Sequence, residues 1–296
     1  MSTAHDEHRK MLADACAQAG LNDAGAQVIQ VGENAIFRIP SQVVVRIARP
    51  GQLATAAKEV QIARWLAHHH IPAVRALDGV QQPLEITGRA VTFWEELPPH
   101  RHGTPPEVAD ALRRLHGLLV PTEFTLAPLA PFTRLAQRID AATTLSTADR
   151  SWLRDSLTEL QRRYTTLPEG LARRVIHGDA WVGNVVTTDS GHTVLLDLER
   201  CAVGPPEWDL VSTAIKCTSL AWVSTQDYQD FCRRYGHDVT TWHGFELLRD
   251  VRELRMTCYL AQHAAEHPRA RREAELRVAC LRGKHGPRPW NWTPAL

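Results

Sequence analysis

Three side chains that offer oxygen ligands, Asp179, Asn184 and Asp197, lie close together in the sequence. Asp179 and Asn184 are separated by four residues, and Asp197 follows an apolar run that begins at Thr193. Transfer of a phosphoryl group needs an oxygen nucleophile held in line with the phosphate, and cations that neutralise the phosphate oxygens. Magnesium takes a few hard oxygen ligands from a protein and completes its shell with waters and phosphates. The spacing therefore predicts Asp179 as the base for an acceptor hydroxyl, and Asn184 and Asp197 as magnesium ligands.

The same residues also have interpretations without catalysis. A loop aspartate often makes a local turn or caps a helix, and this spacing of Asp179 and Asn184 also arises by chance. His177 has two alternatives, a general base or a buried residue that hydrogen-bonds the loop. The apolar stretches on either side, at 174–176 and 193–198, favour the catalytic interpretation because they predict short strands that position the loop.

The elements around this segment predict a β-rich first part and a helical second part. Short β-branched runs separated by turn residues predict antiparallel strands at 27–31, 35–39, 43–48, 84–86 and 90–94. Apolar periodicity predicts helices at 54–68, 106–119, 132–142, 147–164 and 244–266. Proline pairs near residues 98 and 105 suit a boundary. We predict an α+β fold, with a small antiparallel β-rich N-lobe over residues 1–97 and a large, mainly helical C-lobe over residues 98–296.

Charge and composition exclude several classes of protein. Lysine and arginine total 34 against 33 acidic residues, without the basic excess that is typical of nucleic-acid and membrane-surface proteins. No apolar run approaches the roughly 20 residues of a membrane helix, and the polar N-terminus lacks an apolar signal segment. The six cysteines are scattered without a C-x-x-C pair, which indicates reduced thiols. We therefore expect a cytoplasmic protein without nucleic-acid or membrane partners.

The segment around Asp179 resembles the aminoglycoside phosphotransferase and choline kinase superfamily. Three motifs carry the resemblance: H-G-D-x-x-x-x-N as His177-Gly178-Asp179 to Asn184, D-x-[DE] as Asp197-Leu198-Glu199, and G-P-x-x-x-D-L as residues 204–210. The resemblance is specific between residues 175 and 210, and in layout it covers nearly the whole chain. It implies a two-lobed protein-kinase-like fold with a nucleotide in the cleft, ATP or GTP as donor and Mg²⁺ as metal. It also implies that Asp209 braces the catalytic loop, with His177 and Glu199 as further supporting residues.

The same resemblance implies nucleotide-binding residues in the N-lobe. The turn that contains Gly32 and Asn34 resembles the family's nucleotide-covering loop, although it is not G-x-G-x-x-G. Arg46 occupies the place of the usual phosphate-binding lysine, with Glu59 as its expected partner, and arginine can hold phosphate or carboxylate with two parallel hydrogen bonds. The alternative is that Arg46 and Glu59 are unrelated surface charges. The hinge, where backbone amides would meet the adenine edge, is expected at Trp94, Glu95 and Glu96.

The acceptor is expected near the helix predicted at 244–266. Many acceptors of this family are polycations, and Glu246, Asp250 and Glu253 would form an acidic strip on one face of that helix. The alternative is ordinary surface pairing, because Arg249 is three residues from Glu246 and four from Glu253. Trp181 lies inside the catalytic segment and could stack on a substrate ring, with core packing as the alternative.

These observations favour an ATP- or GTP-dependent O-phosphotransferase that acts on a small-molecule hydroxyl, with an aminoglycoside or another cationic antibiotic as the favoured acceptor. One alternative is a metabolic kinase for an amino-alcohol, an amino acid or a sugar. Another is a nucleotide-binding pseudokinase, which the arginine at position 46 keeps open. A protein-kinase role is the least supported, since the sequence has neither a glycine-rich loop nor an A-P-E-like segment.

Overall fold

The computed structural model describes residues 2–32, 34–265 and 267–294. Within these residues the strands are β1 (Gln27–Val31), β2 (Ala35–Ile39), β3 (Val43–Ile47), β4 (Leu84–Ile86), β5 (Arg89–Glu95), β6 (His100–His102), β7 (Arg174–Ile176), β8 (Val185–Thr188), β9 (Thr193–Leu195) and β10 (Ala202–Gly204). The helices are α1 (Ser2–Ala19), α2 (Leu53–His68), α3 (Pro105–His116), α4 (Leu135–Ala141), α5 (Thr147–Tyr164), α6 (Glu207–Thr218), α7 (Thr225–Tyr235), α8 (Phe245–His263) and α9 (Pro268–Leu281). The last residue of the helix predicted at 244–266, Glu266, lies outside the described residues. In this part of the chain, none of the helices combines the length and apolar character needed to cross a membrane.

The chain forms two compact units. The first contains the described residues up to Gly103 together with Val182–Cys201, and the second contains Thr104–Trp181 together with the described residues from Ala202 onward. The segment Val182–Cys201 groups with the first unit because β8 pairs with β6. The predicted α+β class with an antiparallel sheet is confirmed, while the predicted division into lobes at residue 97 stays a prediction.

The first unit is built on an antiparallel sheet with the order β1-β2-β3-β5-β4. Phe37, Val45 and Phe93 are direct neighbours across β2, β3 and β5 and are fully buried. Because successive side chains of a strand point to opposite faces, Arg46 lies on the face away from this apolar core. The alternation of β3 thus places one charged side chain beside a rigid, well-packed sheet.

A second, three-stranded sheet of the first unit has the order β6-β8-β9. The sequence predicted a strand over 193–198, but β9 ends at Leu195. Asp197 has a φ of 51°, in the left-handed region, and a short 3₁₀ helix follows over Leu198–Arg200. The predicted end was wrong because apolar residues continue beyond the last backbone hydrogen bond between β8 and β9. Hydropathy alone therefore does not show where the strand ends.

The second unit is mainly helical, and α6 and α8 form much of its interior. Trp208, Leu210 and Val211 of α6 are buried, as are Leu248, Val251 and Leu254 of α8. The short pair β7–β10 is antiparallel and ends one residue before His177. The strand pair therefore positions the start of the catalytic segment against the two buried helices.

Candidate active site

The backbone just before Asp179 is held by a buried carboxylate of the second unit. Asp209, on α6, accepts hydrogen bonds from the backbone N–H groups of His177, at 2.7 Å, and Gly178, at 2.8 Å. Gly178 has a φ of 84°, a conformation that strongly favours glycine. The sequence H-G-D therefore produces a sharp turn whose two amides point at one acid.

Asp209 is itself fully buried, and its charge is balanced locally. His116 Nε2 lies 3.1 Å from Asp209 Oδ2. Burial acts to raise the pKa of Asp209, but the hydrogen bond from His116 and the charges of His116 and Arg252 outweigh it and hold the pKa below its usual value. An ionised Asp209 is what two backbone amides require as their acceptor.

His177 is completely buried, and its ring contacts the catalytic segment. The backbone N–H of Asp179 donates to Nδ1 of His177 at 3.3 Å. This is the loop-bonding contact that was one of the two alternatives for His177. A ring without solvent exposure, with Nδ1 used in this way, is poorly suited to collect a proton from an acceptor.

Two residues that the sequence analysis did not assign to the site complete this arrangement. Trp208 Nε1 donates to the carbonyl of Gly178 at 3.0 Å. Arg252, on α8, donates through Nη2 to the carbonyls of Trp208, at 2.8 Å, and Gly178, at 3.3 Å, and its guanidinium lies 4.0 Å from a Trp208 ring centroid. Its Nη1 is 3.8 Å from Asp179 Oδ1. Trp208 stands next to Asp209 in the G-P-x-x-x-D-L element, so the motif could have predicted its place in the site. The sequence around Arg252 contains no motif that predicts its role.

Asn184 and Asp197, the predicted metal ligands, are brought together in the first unit. Leu196 N–H donates to the carbonyl of Asn184 at 2.9 Å, directly beyond the paired residues Val185 and Leu195. Asn184 and the residue before Asp197 are thus hydrogen-bonded neighbours at one end of the β8–β9 hairpin. Among the described residues, no group of three or more His, Cys, Asp or Glu forms a metal cage. Two oxygen ligands suit magnesium, which keeps waters and phosphates as further ligands.

The predicted partners Arg46 and Glu59 form an ion pair in the first unit. Arg46 Nη1 is 2.8 Å from Glu59 Oε2, and the Glu59 side chain is only 3% exposed. Arg46 Nη2 also lies 3.5 Å from Glu199 Oε2. Burial is the largest effect on Glu59 and raises its pKa to about 7, with the charges of Asp197 and Glu199 acting in the same direction and Arg46 against them. Additional positive charge would stabilise this cluster of acidic residues, because it would reduce the repulsion between their carboxylates.

Lys58 also supports the Glu199 segment. Its Nζ donates to the backbone carbonyls of Glu199 and Cys201. Lys58 and Glu59 are consecutive on α2, so one turn of this helix contacts both the 3₁₀ turn after Asp197 and the arginine of β3. This role of Lys58 is not visible in the sequence, because Lys58 lies more than 140 residues from the carbonyls that it contacts.

The other nucleotide-binding candidates lie at the edges of the main sheet. Gly32 N–H donates to the carbonyl of Asn34 at 3.0 Å, and the Asn34 side chain accepts from the backbone N–H of Arg49 at 3.4 Å. The residue between Gly32 and Asn34, Glu33, lies outside the described residues. The nucleotide-covering role of this turn stays a prediction.

The hinge segment differs from the expectation in one respect. Glu95 N–H donates to the carbonyl of Arg75 at 2.9 Å, and Glu96 N–H donates to that of Gln42 at 2.8 Å. Trp94 is largely buried, with its indole N–H bonded to Thr92. Because the amides of Glu95 and Glu96 are already used within the unit, a contact with an adenine edge would have to come from other groups of this segment.

The three acidic residues proposed for the acceptor are all engaged by arginines. Arg288 binds Glu253 through two nitrogens, at 2.9 and 2.6 Å, and Glu253 is fully buried. Asp250 accepts from Arg249 at 3.0 Å, and Glu246, on the exposed surface, lies 3.4 Å from the same arginine. The spacing on α8 is as predicted, but these carboxylates mainly form ion pairs within the unit.

Trp181, the fourth acceptor candidate, has an exposed ring beside a lysine. Its side chain is 42% exposed, and Lys216 Nζ lies 4.7 Å from a ring centroid. Lys216 is on α6, seven residues after Asp209, a spacing that places both on one face of the helix. That spacing, in a chain with few lysines, was a signal for Lys216 that the sequence analysis did not use.

The fold and these residues define a protein-kinase-like phosphotransferase, and comparisons with known proteins agree. The sequence matches the phosphotransferase enzyme family over residues 21–248. The chain therefore belongs to the phosphotransferase enzyme family and is a small-molecule kinase, which phosphorylates a hydroxyl group. A search of curated protein sequences gave no match.

Several solved structures share the fold at low sequence identity. A choline/ethanolamine kinase family protein from Mesorhizobium loti is 18% identical, with a TM-score of 0.60 over 93% of this chain and 94% of that chain. An aminoglycoside phosphotransferase from Streptomyces rimosus is 20% identical, with a TM-score of 0.60 over 81% and 97%. An amicoumacin kinase, solved with AMP-PNP and Ca²⁺, is 14% identical, with a TM-score of 0.66 over 92% and 96%. Their substrates differ, so the similarity shows the fold but does not identify the acceptor of this chain, which has to be inferred from the residues of the site.

Proposed function

We propose that this enzyme transfers the γ-phosphoryl group of ATP or GTP to a hydroxyl of a small molecule, with Asp179 as the base. The acceptor oxygen forms a bond to the γ-phosphorus, and the bond from that phosphorus to the bridging oxygen of the nucleoside diphosphate breaks. The hydroxyl proton passes to Asp179, and the products are a phosphate monoester and the nucleoside diphosphate.

The observation that supports this proposal is the bond between Leu196 N–H and the Asn184 carbonyl, which brings Asn184 and the residue before Asp197 to one end of the hairpin. Asn184 and Asp197 would hold Mg²⁺. Bound there, Mg²⁺ would neutralise charge on the phosphate oxygens. Arg46, oriented by Glu59, would bind the nucleotide phosphates in place of a lysine.

On the acceptor side, a specific observation favours a metabolite over a cationic antibiotic. Glu246, Asp250 and Glu253 are paired with arginines, whereas the cations Lys216 and Arg252 lie near Asp179. The alternative of an amino-acid or sugar kinase therefore gains weight over an aminoglycoside kinase. We also propose a cytoplasmic location, which the six free cysteines support.

The test is nucleotide consumption by the purified chain, with MgATP and MgGTP, against hydroxy acids, amino acids, sugars, choline and aminoglycosides. Acceptor-dependent formation of ADP or GDP, lost in Asp179→Asn, is the expected result. Nucleotide binding without turnover on any acceptor, at concentrations that saturate metabolic kinases, would instead support a pseudokinase. The same panel reports the nucleotide preference, since each acceptor is measured with both donors.

A further inference from the structure

One face of α6 carries both Asp209, which holds the catalytic segment, and the basic residue Lys216. Asp209, in the first turn, holds the amides that precede Asp179, and Lys216 lies two turns further along the same face. There Lys216 approaches the Trp181 ring, which is two residues beyond Asp179 and is exposed. An ammonium group and an open aromatic face therefore lie together next to the candidate base.

The charges around this point are of the wrong sign for a polycation. Lys216 experiences the charges of Asp179 and Arg252, so two cations accompany one carboxylate. Arg252 is committed to the carbonyls of Gly178 and Trp208, and its guanidinium lies 3.8 Å from Asp179. A cationic acceptor would be repelled by both, since like charges in a partly desolvated site interact strongly.

Lys216 also lacks the partners that a partly buried ammonium group usually has. Among the described residues, its Nζ makes no hydrogen bond, and the Trp181 ring and the Asp179 carboxylate are its favourable neighbours. Burial lowers the pKa of Lys216 to about 8. An anion bound here would supply the hydrogen-bond acceptors that the ammonium lacks.

We propose that the acceptor carries a carboxylate close to the hydroxyl that is phosphorylated, and that Lys216 binds this carboxylate while Trp181 covers the carbon skeleton. The inference rests on the proposed function and narrows it to hydroxy acids and hydroxylated amino acids. Lys216 is then a specificity-determining residue, and Arg252 is a positioning residue that acts through Asp179 and Gly178.

The first experiment compares acceptors that differ only in charge. Initial rates of ADP formation are measured for glycerate, threonate and gluconate, and for the neutral amide of each, with choline and aminoglycosides as cationic compounds. We expect at least one carboxylate to exceed its amide in kcat/KM by roughly tenfold or more, the scale of one charge-assisted contact. Equal rates for acid and amide, or turnover of cationic acceptors alone, would overturn the inference and leave the proposed function standing.

Variants of Lys216 separate acceptor binding from nucleotide binding. Lys216→Met should remove the preference for the acid by raising the KM of the carboxylate acceptor roughly tenfold, without changing the KM of MgATP. Lys216→Arg should keep most of the preference, and Lys284→Met, at an exposed lysine, is the matched control. An increase in the KM of MgATP alone would show that Lys216 contacts the nucleotide, contrary to the proposal.

A binding measurement makes the result independent of turnover. Acetylation with N-acetoxysuccinimide, followed by peptide mapping, reports on Lys216, with the exposed Lys10 and Lys284 as internal references. Protection of Lys216 by carboxylates, but not by their amides, supports the inference even when no compound is phosphorylated. Absence of phosphorylation would then count against the proposed function and not against the inference. Absence of both turnover and protection across the panel overturns the inference.

Discussion

Arg46 Nη1 lies 2.8 Å from Oε2 of Glu59, so the arginine predicted to take the place of the usual lysine is held by a buried carboxylate. Arg46→Ala would leave Glu59 buried without its partner, and we expect a loss of about 3 kcal/mol in the free energy of unfolding together with weaker ATP binding. Urea denaturation and titration with a fluorescent ATP analogue measure the two effects.

Two variants make the result for Arg46 specific. Arg46→Lys keeps the charge but cannot contact Glu59 and Glu199 through two separate nitrogens, so it should retain more stability and affinity than alanine but less than the wild type. Arg38→Ala removes a half-exposed arginine of β2 that pairs with Glu96 and should change stability by less than about 1 kcal/mol. If Arg46→Ala behaved like Arg38→Ala, the ion pair would be a surface pair without a nucleotide role.

Asp179→Asn is expected to leave the fold and nucleotide binding intact and to lower kcat by about 10²- to 10⁴-fold. The substitution removes the proposed proton acceptor and leaves Asn184 and Asp197 unchanged. Steady-state kinetics with the best acceptor provide the measurement, and Asp155→Asn, at an exposed position on α5, is the matched control. Near-normal turnover in Asp179→Asn would show that another group is the base.

Magnesium removal should abolish turnover, and the hairpin ligands should set metal affinity. We expect excess EDTA to stop the reaction, and excess Mg²⁺ to restore it. Asp197→Ala should weaken Mg²⁺-dependent ATP binding at least about tenfold, whereas Asp189→Ala, at the exposed turn of the same hairpin, should not. Calorimetric titration of ATP with and without Mg²⁺ decides this, and unchanged affinity in Asp197→Ala would exclude it as a metal ligand.

Asp209 should contribute stability that depends on pH in a defined direction. Its pKa is lower in the folded chain than its usual value, so its contribution is complete above about pH 4, the unfolded pKa, and is lost as the pH falls through the folded pKa. We expect Asp209→Asn to be less stable than the wild type by about 2–4 kcal/mol near neutral pH, because two amides lose an ionised acceptor. Urea denaturation at pH 7.5, 5 and 3.5 should show this difference constant at first and smaller at the lowest pH.

Lys216 predicts the pH dependence of acceptor use. Since its pKa lies near 8, the ammonium form that binds a carboxylate is present below pH 8 and is lost above it. The charged groups that act on it are Asp179, from the catalytic segment, and Arg252, from α8. We expect the KM for the carboxylate acceptor to rise between pH 7 and 9 in the wild type but to stay flat in Lys216→Arg, whose guanidinium remains charged. A parallel rise in both would assign the effect to another group.

Much of the architecture is visible in local patterns. The strands at residues 27–31 and 35–39 and the helix at 147–164 match the structure because their alternation or periodicity is complete within the segment itself. Asp179, Asn184 and Asp197 were predicted in the same way, since their spacing lies within one short stretch of chain, and their roles stay predictions. The end of the strand predicted at 193–198 was wrong. Asp197 adopts a left-handed backbone conformation there, and no glycine in the sequence predicts that conformation.

By itself, the sequence determined the class of chemistry, because one short segment carries the predicted base and both predicted metal ligands. Only the tertiary structure decided how these residues are held and what surrounds them. Asp209 meets the amides of His177 and Gly178 across about 30 residues of chain, and Arg252 reaches Gly178 from 74 residues away. The physical reason is that burial and charge pairing depend on which side chains, distant in the sequence, pack against one another in the folded chain. No local pattern records that Glu253 is neutralised by Arg288, or that Lys216 stands beside Trp181.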